Sequence, residues 1–318
     1  ALGRVAQFAA TVSTYAEGFS IVVDPLRRGA SGVPEPQLDL ACLDASLALK
    51  PVVERFRSVV LTSGTLSPLD LYPKLLNFAP VVRASLPMST FRPCILPLVV
   101  SKGDDQRKVS TRFESRDGTD VVRNYGGLLV QLCEVVPDGL AVFFTSYSYM
   151  ERVVQQWDHD GTLQRILTRK LVFVETKDVL ETTLALENYR RACDSGRGAV
   201  FFSIARGKVA EGIDFDRHYG RCVLNIGVPF QYTQSHVLRT RLEFLRSKHN
   251  IQEGTFLTFD ALRQTAQCVG RVVRSKTDYG VVVLADDRFG RKDKRSKLPG
   301  WVRQFLSDSQ LDLSVSNA

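Results

Sequence analysis

The run VLETTLALENYRRACDSGRGAVFFSIARGKVAEGIDF (Val179–Phe215) decides the fold. Its first part spaces apolar residues as a helix does and stops at Gly196. AVFFSI then follows as an unbroken apolar run, the pattern of a strand covered on both faces of a parallel sheet. Directly after that strand, Arg206, Gly207, Lys208, Glu211, Gly212 and Asp214 place two cations, two glycines and two carboxylates within nine residues. A bland surface loop rarely needs that mixture, so the loop is expected to bind something.

The same order repeats outward from this unit. TDVVRNYGGLLVQLCEVV (119–136) reads as helix, LAVFFTSY (140–147) as strand, SYMERVVQQW (148–157) as helix and LVFVE (171–175) as strand. RCVLNIGVPF (221–230) is a further strand, SHVLRTRLEFLRS (235–247) a helix, and the helix FDALRQTAQCVGRVVR (259–274) leads into the strand GVVVLAD (280–286). Strand and helix alternate at βαβ spacing, which predicts an α/β fold with a mostly parallel sheet. Ligands of such sheets bind at the carboxyl ends of the strands. Towards the N-terminus, FSIVVDP (19–25) and LDLACLD (38–44) are short β-like runs joined by a Gly/Pro-rich connector. SLALKPVVERF (46–56) is a helical segment interrupted by Pro51, and SVVLTSGTL (58–66) is expected to return to strand. Pro68, Pro73, Pro80, Pro87, Pro93 and Pro97 then punctuate the chain, which predicts a boundary near residue 80 and domains of 1–80 and 81–318.

The 318 residues, 44% of them hydrophobic, suffice for one large core or two. A net charge of +8 favours acidic partners, nucleic acid before membrane. Seven Lys or Arg and one Asp lie between Arg288 and Arg303, either a solvated face or a phosphate-facing or partner-facing patch. No apolar run approaches the roughly 20 residues of a membrane span. Six cysteines without C-x-x-C pairing read as reduced, mostly buried thiols of a cytosolic or nuclear protein. Four scattered histidines make no metal site.

Each strand end carries a candidate motif with a plainer reading beside it. TSGTLSP (62–68) gathers hydroxyls around a glycine, which suits an anion but also an ordinary turn. Ser146 and Tyr147 open a helix: Ser146 can cap it, and a nucleic-acid phosphate and base can also sit there. In QCVGRVVR, Arg271 and Arg274 stand three residues apart on the expected helix and project from nearly one face. They suit a polyanion such as a nucleoside triphosphate, or simply favour the helix dipole. Gly207 between Arg206 and Lys208 implies a close backbone approach, to nucleic acid or to nucleotide. No G-x-x-x-x-G-K-[ST] phosphate loop is present. Together these loops are expected on one edge of one sheet.

With these residues in place, LTSGTLSPLDLYPKLL, FFTSYSYMERV, ARGKVAEGIDF and QCVGRVVRSKTDYG resemble motifs III, IV, V and VI of superfamily-two helicases. They resemble most the XPD (Rad3-like) branch, of the eukaryotic kind found in transcription factor IIH. The resemblance runs over essentially the whole chain. It implies a RecA-like motor domain two preceded by the last part of motor domain one, after the arch insertion. It places the Walker A loop, the Mg²⁺-binding acidic box and the cysteines of a 4Fe–4S cluster upstream of Ala1, so this chain alone would be inactive as an ATPase. Residue by residue, it implies arginine fingers at Arg271 and Arg274 with Gln267 facing the nucleotide. Gly212 and Asp214 would lie near ATP ribose and phosphate, with Glu211 beside them. Gly64 and Thr65 would couple hydrolysis to strand movement, and Ser146, Tyr147, Arg206 and Lys208 would meet single-stranded DNA. It further implies a nuclear 5′→3′ DNA helicase of nucleotide excision repair and transcription initiation. Its partners would be other factor IIH subunits, the regulatory one included, with no membrane. A non-catalytic docking module for those subunits, suggested by the basic run and by SHVLRTRLEFLRS, is the alternative.

Overall fold

Helical and strand runs alternate along the chain as the apolar spacing requires. A computed structural model describes residues 2–15, 17–25, 34–86, 93–275 and 277–318; the side chain of Glu211 lies outside the described set. In chain order the elements are α1 (Leu2–Thr14), β1 (Phe19–Asp24), β2 (Gln37–Cys42), α2 (Ser46–Arg55), α3 (Leu71–Leu75), β3 (Ile95–Lys102), α4 (Thr119–Val135) and β4 (Gly139–Phe144). They continue with α5 (Tyr147–His159), α6 (Thr162–Arg169), β5 (Leu171–Val174), α7 (Val179–Asp194), β6 (Ala199–Ile204), α8 (Lys208–Gly212) and β7 (Cys222–Ile226). Last come α9 (His236–His249), α10 (Glu253–Val269), β8 (Gly280–Ala285), α11 (Lys292–Arg295), α12 (Gly300–Arg303) and β9 (Leu313–Ser314).

These elements form two compact units. One gathers residues 1–63, 68–84 and 231–258. In it β1 and β2 pair antiparallel, Phe19 opposite Cys42 through Asp24 opposite Gln37. Buried Val22, Ala41 and Leu43 pack against Val237 and Phe244 of α9. Two cations of α9 finish the seam: Arg241 donates to the Cys42 carbonyl at 3.2 Å, and Lys248 meets Asp44 at 3.4 Å. The helix read in SHVLRTRLEFLRS therefore returns to the N-terminal hairpin, which a single cut near residue 80 does not anticipate.

The second unit holds residues 64–67, 85–230 and 259–318 around a seven-stranded sheet in the order β5-β6-β4-β7-β8-β3-β9. Every pairing in it is parallel. Alternate side chains feed opposite faces. Val142, Phe144, Phe202 and Leu224 face α4, α5 and α6 through Leu128, Tyr149, Trp157 and Ile166. Phe143, Phe201 and Val223 face α7, α8 and the end of α10 through Tyr189, Val209 and Cys268. This is the helix-flanked parallel α/β fold that the alternation predicts.

Three local readings differ from the sequence expectation. Residues 58–63 form no strand: Val60 is 84% exposed, and no strand among the described residues pairs with them, so their backbone has no ladder to join. The proline-punctuated stretch contains β3, with Pro97 inside it. That is tolerated because β9 pairs only at Val100 and Lys102, which leaves Pro97 with a strand on one side alone. The helix before the last long strand, α10, ends at Val269, one residue before Gly270, so Arg271 and Arg274 lie beyond it rather than on it. Pro51, by contrast, sits within α2 without ending it, on a helix with no buried residue.

Candidate functional site

Two clusters of the second unit collect most of the candidate residues. The first sits where β4, β5 and β6 end side by side. Ser146 caps α5: its backbone is extended and its hydroxyl accepts from the Tyr149 N–H at 3.3 Å. Tyr147 follows, half-buried, with Lys177 Nζ 5.9 Å from its ring centroid. After β6 the chain turns through Ala205–Gly207 and enters α8 at Lys208, whose exposed side chain donates to the Lys177 carbonyl at 3.2 Å.

Glu175, the residue after β5, joins these loops. It is 1% exposed. Its Oε1 accepts from the Tyr147 hydroxyl and the Lys208 N–H, both at 3.0 Å. Its Oε2 accepts from the Ser203 hydroxyl at 2.5 Å and the Ile204 N–H at 3.3 Å. Burial, then the bond to Glu175, pushes the Tyr147 hydroxyl up to about 12. The close approach implied by Gly207 is to this carboxylate: a Cβ there would come within 2.5 Å of Oε1 and 2.6 Å of Oε2. Sequence reasoning passed over Glu175 as the tail of an apolar strand. Its position at a strand's carboxyl end was the only available signal.

Arg206 turns inward from this rim. Its guanidinium donates to the Pro229 carbonyl at 2.7 Å and to Asp260 at 2.5 Å, and Asp260 also meets Arg263 at 3.2 Å. The arginine therefore ties the loop after β6 to α10.

The second cluster joins the end of the α8 loop to the segment after α10. Arg271 donates to Asp214 Oδ1 at 2.9 Å and to the Ala210 carbonyl at 2.8 Å, while its own carbonyl accepts from the Phe215 N–H at 3.2 Å. Arg274 donates to the same Asp214 oxygen. Arg271 is 13% exposed, Arg274 38% and Asp214 52%, so the three form a graded edge from core to solvent. Asp278 holds the turn behind them by accepting from the N–H groups of Arg274 at 3.0 Å and Ser275 at 2.8 Å. Burial raises the Asp278 carboxyl, but these hydrogen bonds outweigh it and leave it below the usual carboxylate range. Gln267 is half-buried on the last turn of α10. At Gly212 a Cβ would meet nothing within 4 Å, so no contact of this chain requires glycine there. Glu211's side chain lies outside the described set.

Gly64 and Thr65 stand apart from both clusters; the Gly64 carbonyl accepts from the Trp301 indole N–H at 3.1 Å. The basic run is partly internal. Arg288 is 11% exposed and bound to fully buried Asp286 at 2.7 Å, and Lys294 is 13% exposed and meets Asp293 at 2.9 Å.

Two guanidinium groups converging on one carboxylate oxygen form a donor set that fits a phosphate oxygen equally well. A metal is different: among the described residues no group of three or more His, Cys, Asp or Glu is placed to hold one. Five of the six cysteines are buried and Cys42 is exposed, all as free thiols. No helix among the described residues is long and apolar enough to cross a membrane.

The family model described as the helicase C-terminal domain matches residues 129–305. The general transcription and DNA repair factor IIH helicase subunit XPD of Arabidopsis thaliana is 62% identical over 314 residues, which are 99% of this chain and 41% of that protein. The XPD/RAD3 subunit of Saccharomyces cerevisiae is 54% identical over 318 residues, 100% of this chain and again 41% of that protein. The chain thus spans 41% of the length of these curated relatives. A solved structure named as an XPD helicase superposes with a TM-score of 0.65 at 20% identity, covering 94% of this chain and 49% of that one. That likeness is one of fold, and it identifies the parallel sheet as RecA-like.

Proposed function

The chain belongs to the helicase C-terminal domain family, and on that footing we propose that it supplies one half of an ATP-dependent DNA helicase. In this reading residues 81–318 are chiefly motor domain two and residues 1–80 the last part of motor domain one. The observation that carries the reading is the convergence of Arg271 and Arg274 on a single oxyanion, Asp214 Oδ1. ATP, when bound, supplies the phosphoryl group and the developing negative charge. Arg271 and Arg274 leave Asp214 and donate to that charge, Gln267 faces the nucleotide from the end of α10, and Asp278 keeps the arginine turn in place. Asp214 and Gly212 border the ribose and phosphates, with Glu211 alongside. Mg²⁺ and a 4Fe–4S cluster do not fit the described residues and would be held elsewhere in the full-length protein.

Ser146, Tyr147 and Lys208 form the single-stranded DNA rim, with Arg206 bracing it from Asp260. Gly64 and Thr65 couple hydrolysis to movement along the strand. The relatives are named as helicase subunits of general transcription and DNA repair factor IIH, and the reading extends that role to this chain, with a nuclear location, 5′→3′ movement in repair and transcription initiation, and a regulatory subunit beside it. The docking-module alternative has less support, because Arg288 and Lys294 of the basic run turn inward.

Arginine fingers contribute roughly 10³–10⁵ in rate in other NTPases. Full-length protein carrying Arg271→Ala should lose about 10³ or more of its DNA-stimulated ATP hydrolysis and still bind single-stranded DNA. Turnover equal to the parent's would overturn the reading.

A further inference from the structure

Glu175 is the buried group for which neither the motifs nor the relatives supply a role. A carboxylate has about four lone-pair sites, and all four are used here, on donors from the start of α5, the end of β6 and the start of α8. Every donor is neutral: two hydroxyls and two backbone N–H groups. A buried carboxylate held this way is fixed by geometry more than by charge attraction, because moving it strands several donors at once. The Gly207 backbone closes the remaining side.

We propose that Glu175 is a positioning residue, which sets the Tyr147 ring and the Lys208 backbone at one fixed separation and so shapes the rim that receives single-stranded nucleic acid. The proposal rests on the reading of Tyr147 and Lys208 as nucleic-acid contacts. Each oxygen joins one hydroxyl to one N–H, so the loops after β4 and β6 are held by the same group. Replacing Glu175 with glutamine turns one acceptor into a donor. Tyr147 or Ser203 can rotate its hydroxyl to accept from the amide, but the Lys208 or Ile204 N–H on that side cannot. One backbone N–H is left without a partner, and the end of β6 or the loop after it must shift.

The test uses full-length protein and the concentration of single-stranded DNA that half-activates ATP hydrolysis, a quantity independent of how much protein is folded. Glu175→Gln should raise that concentration about tenfold, the scale of one lost hydrogen bond to a charged group, and leave turnover at saturating DNA within about twofold. Tyr147→Phe, which keeps the ring and is the milder change, should raise it less. The double variant should match Glu175→Gln alone, since both act through one link. A half-activating concentration equal to the parent's in Glu175→Gln would overturn the proposal, as would additive effects in the double variant. Lys208→Ala separates the two levels. If it leaves DNA activation unchanged, the contact reading fails. If it weakens activation while Glu175→Gln does not, the positioning role alone fails.

Discussion

The two clusters of the RecA-like unit solve one problem in opposite ways. At the end of β5 a carboxylate with 1% exposure is held by four neutral donors; beside α8 a carboxylate with 52% exposure is held by two cations. The buried arrangement is costly to disturb, because each stranded donor costs about 1–3 kcal/mol. The exposed one is cheap to exchange, since half-solvated ion pairs contribute only about 0–1 kcal/mol. A rim that must keep its shape through many cycles suits the first. Arginines that must release one anion to take another suit the second.

Gly207→Ala should break this contrast most severely. Its Cβ would lie within 2.6 Å of both Glu175 oxygens and 2.7 Å from Ile204 Cγ1, none of them free to retreat. We expect a loss of about 1–3 kcal/mol in urea unfolding, and an unchanged midpoint would mean the carboxylate is not fixed. Asp214→Asn should sit at the other extreme, changing stability by less than about 1 kcal/mol. A larger loss would show the arginine cluster to be as structural as the Glu175 hub.

A third effect concerns pH. Folding raises the Tyr147 hydroxyl from 10.0 to about 12, so its contribution is complete below pH 10 and is lost as the pH climbs toward 12. Tyr147→Phe should cost about 1 kcal/mol near pH 8, and its unfolding curve should converge on the parent's between pH 10 and 12. A constant gap across that window would place the hydroxyl outside the network.

What was legible in the sequence was whatever depends on neighbours along the chain. Unbroken apolar runs marked β4, β6, β7 and β8, and Ser146 before Tyr147 marked a cap. The glycine between Arg206 and Lys208 marked a tight approach, although not what approached. The rest depends on distant residues. Glu175 reads as an ordinary strand end until Ser203 and Lys208, some thirty residues on, are folded beside it. Val59–Leu61 look like a strand because periodicity cannot report whether a partner strand exists. The return of α9 to the β1–β2 hairpin depends on Arg241 and Lys248 meeting groups near residues 42–44, a pairing without local signal.

The position of β3 also has a consequence for synthesis on the ribosome. Its partners in the sheet are β8 and β9, with Ile95 opposite Gly280 and Val100 opposite Leu313, whereas β4 finds β6 and β7 much sooner. The first strand of this sheet to be made is thus among the last to be paired. From its own synthesis until Gly280–Ala285 is made, the nascent chain carries an apolar segment, Ile95–Val100, with an open edge. Such segments are where chaperones engage and where stalled or truncated products aggregate, so truncation before Gly280 should be more harmful in cells than the number of residues removed would suggest.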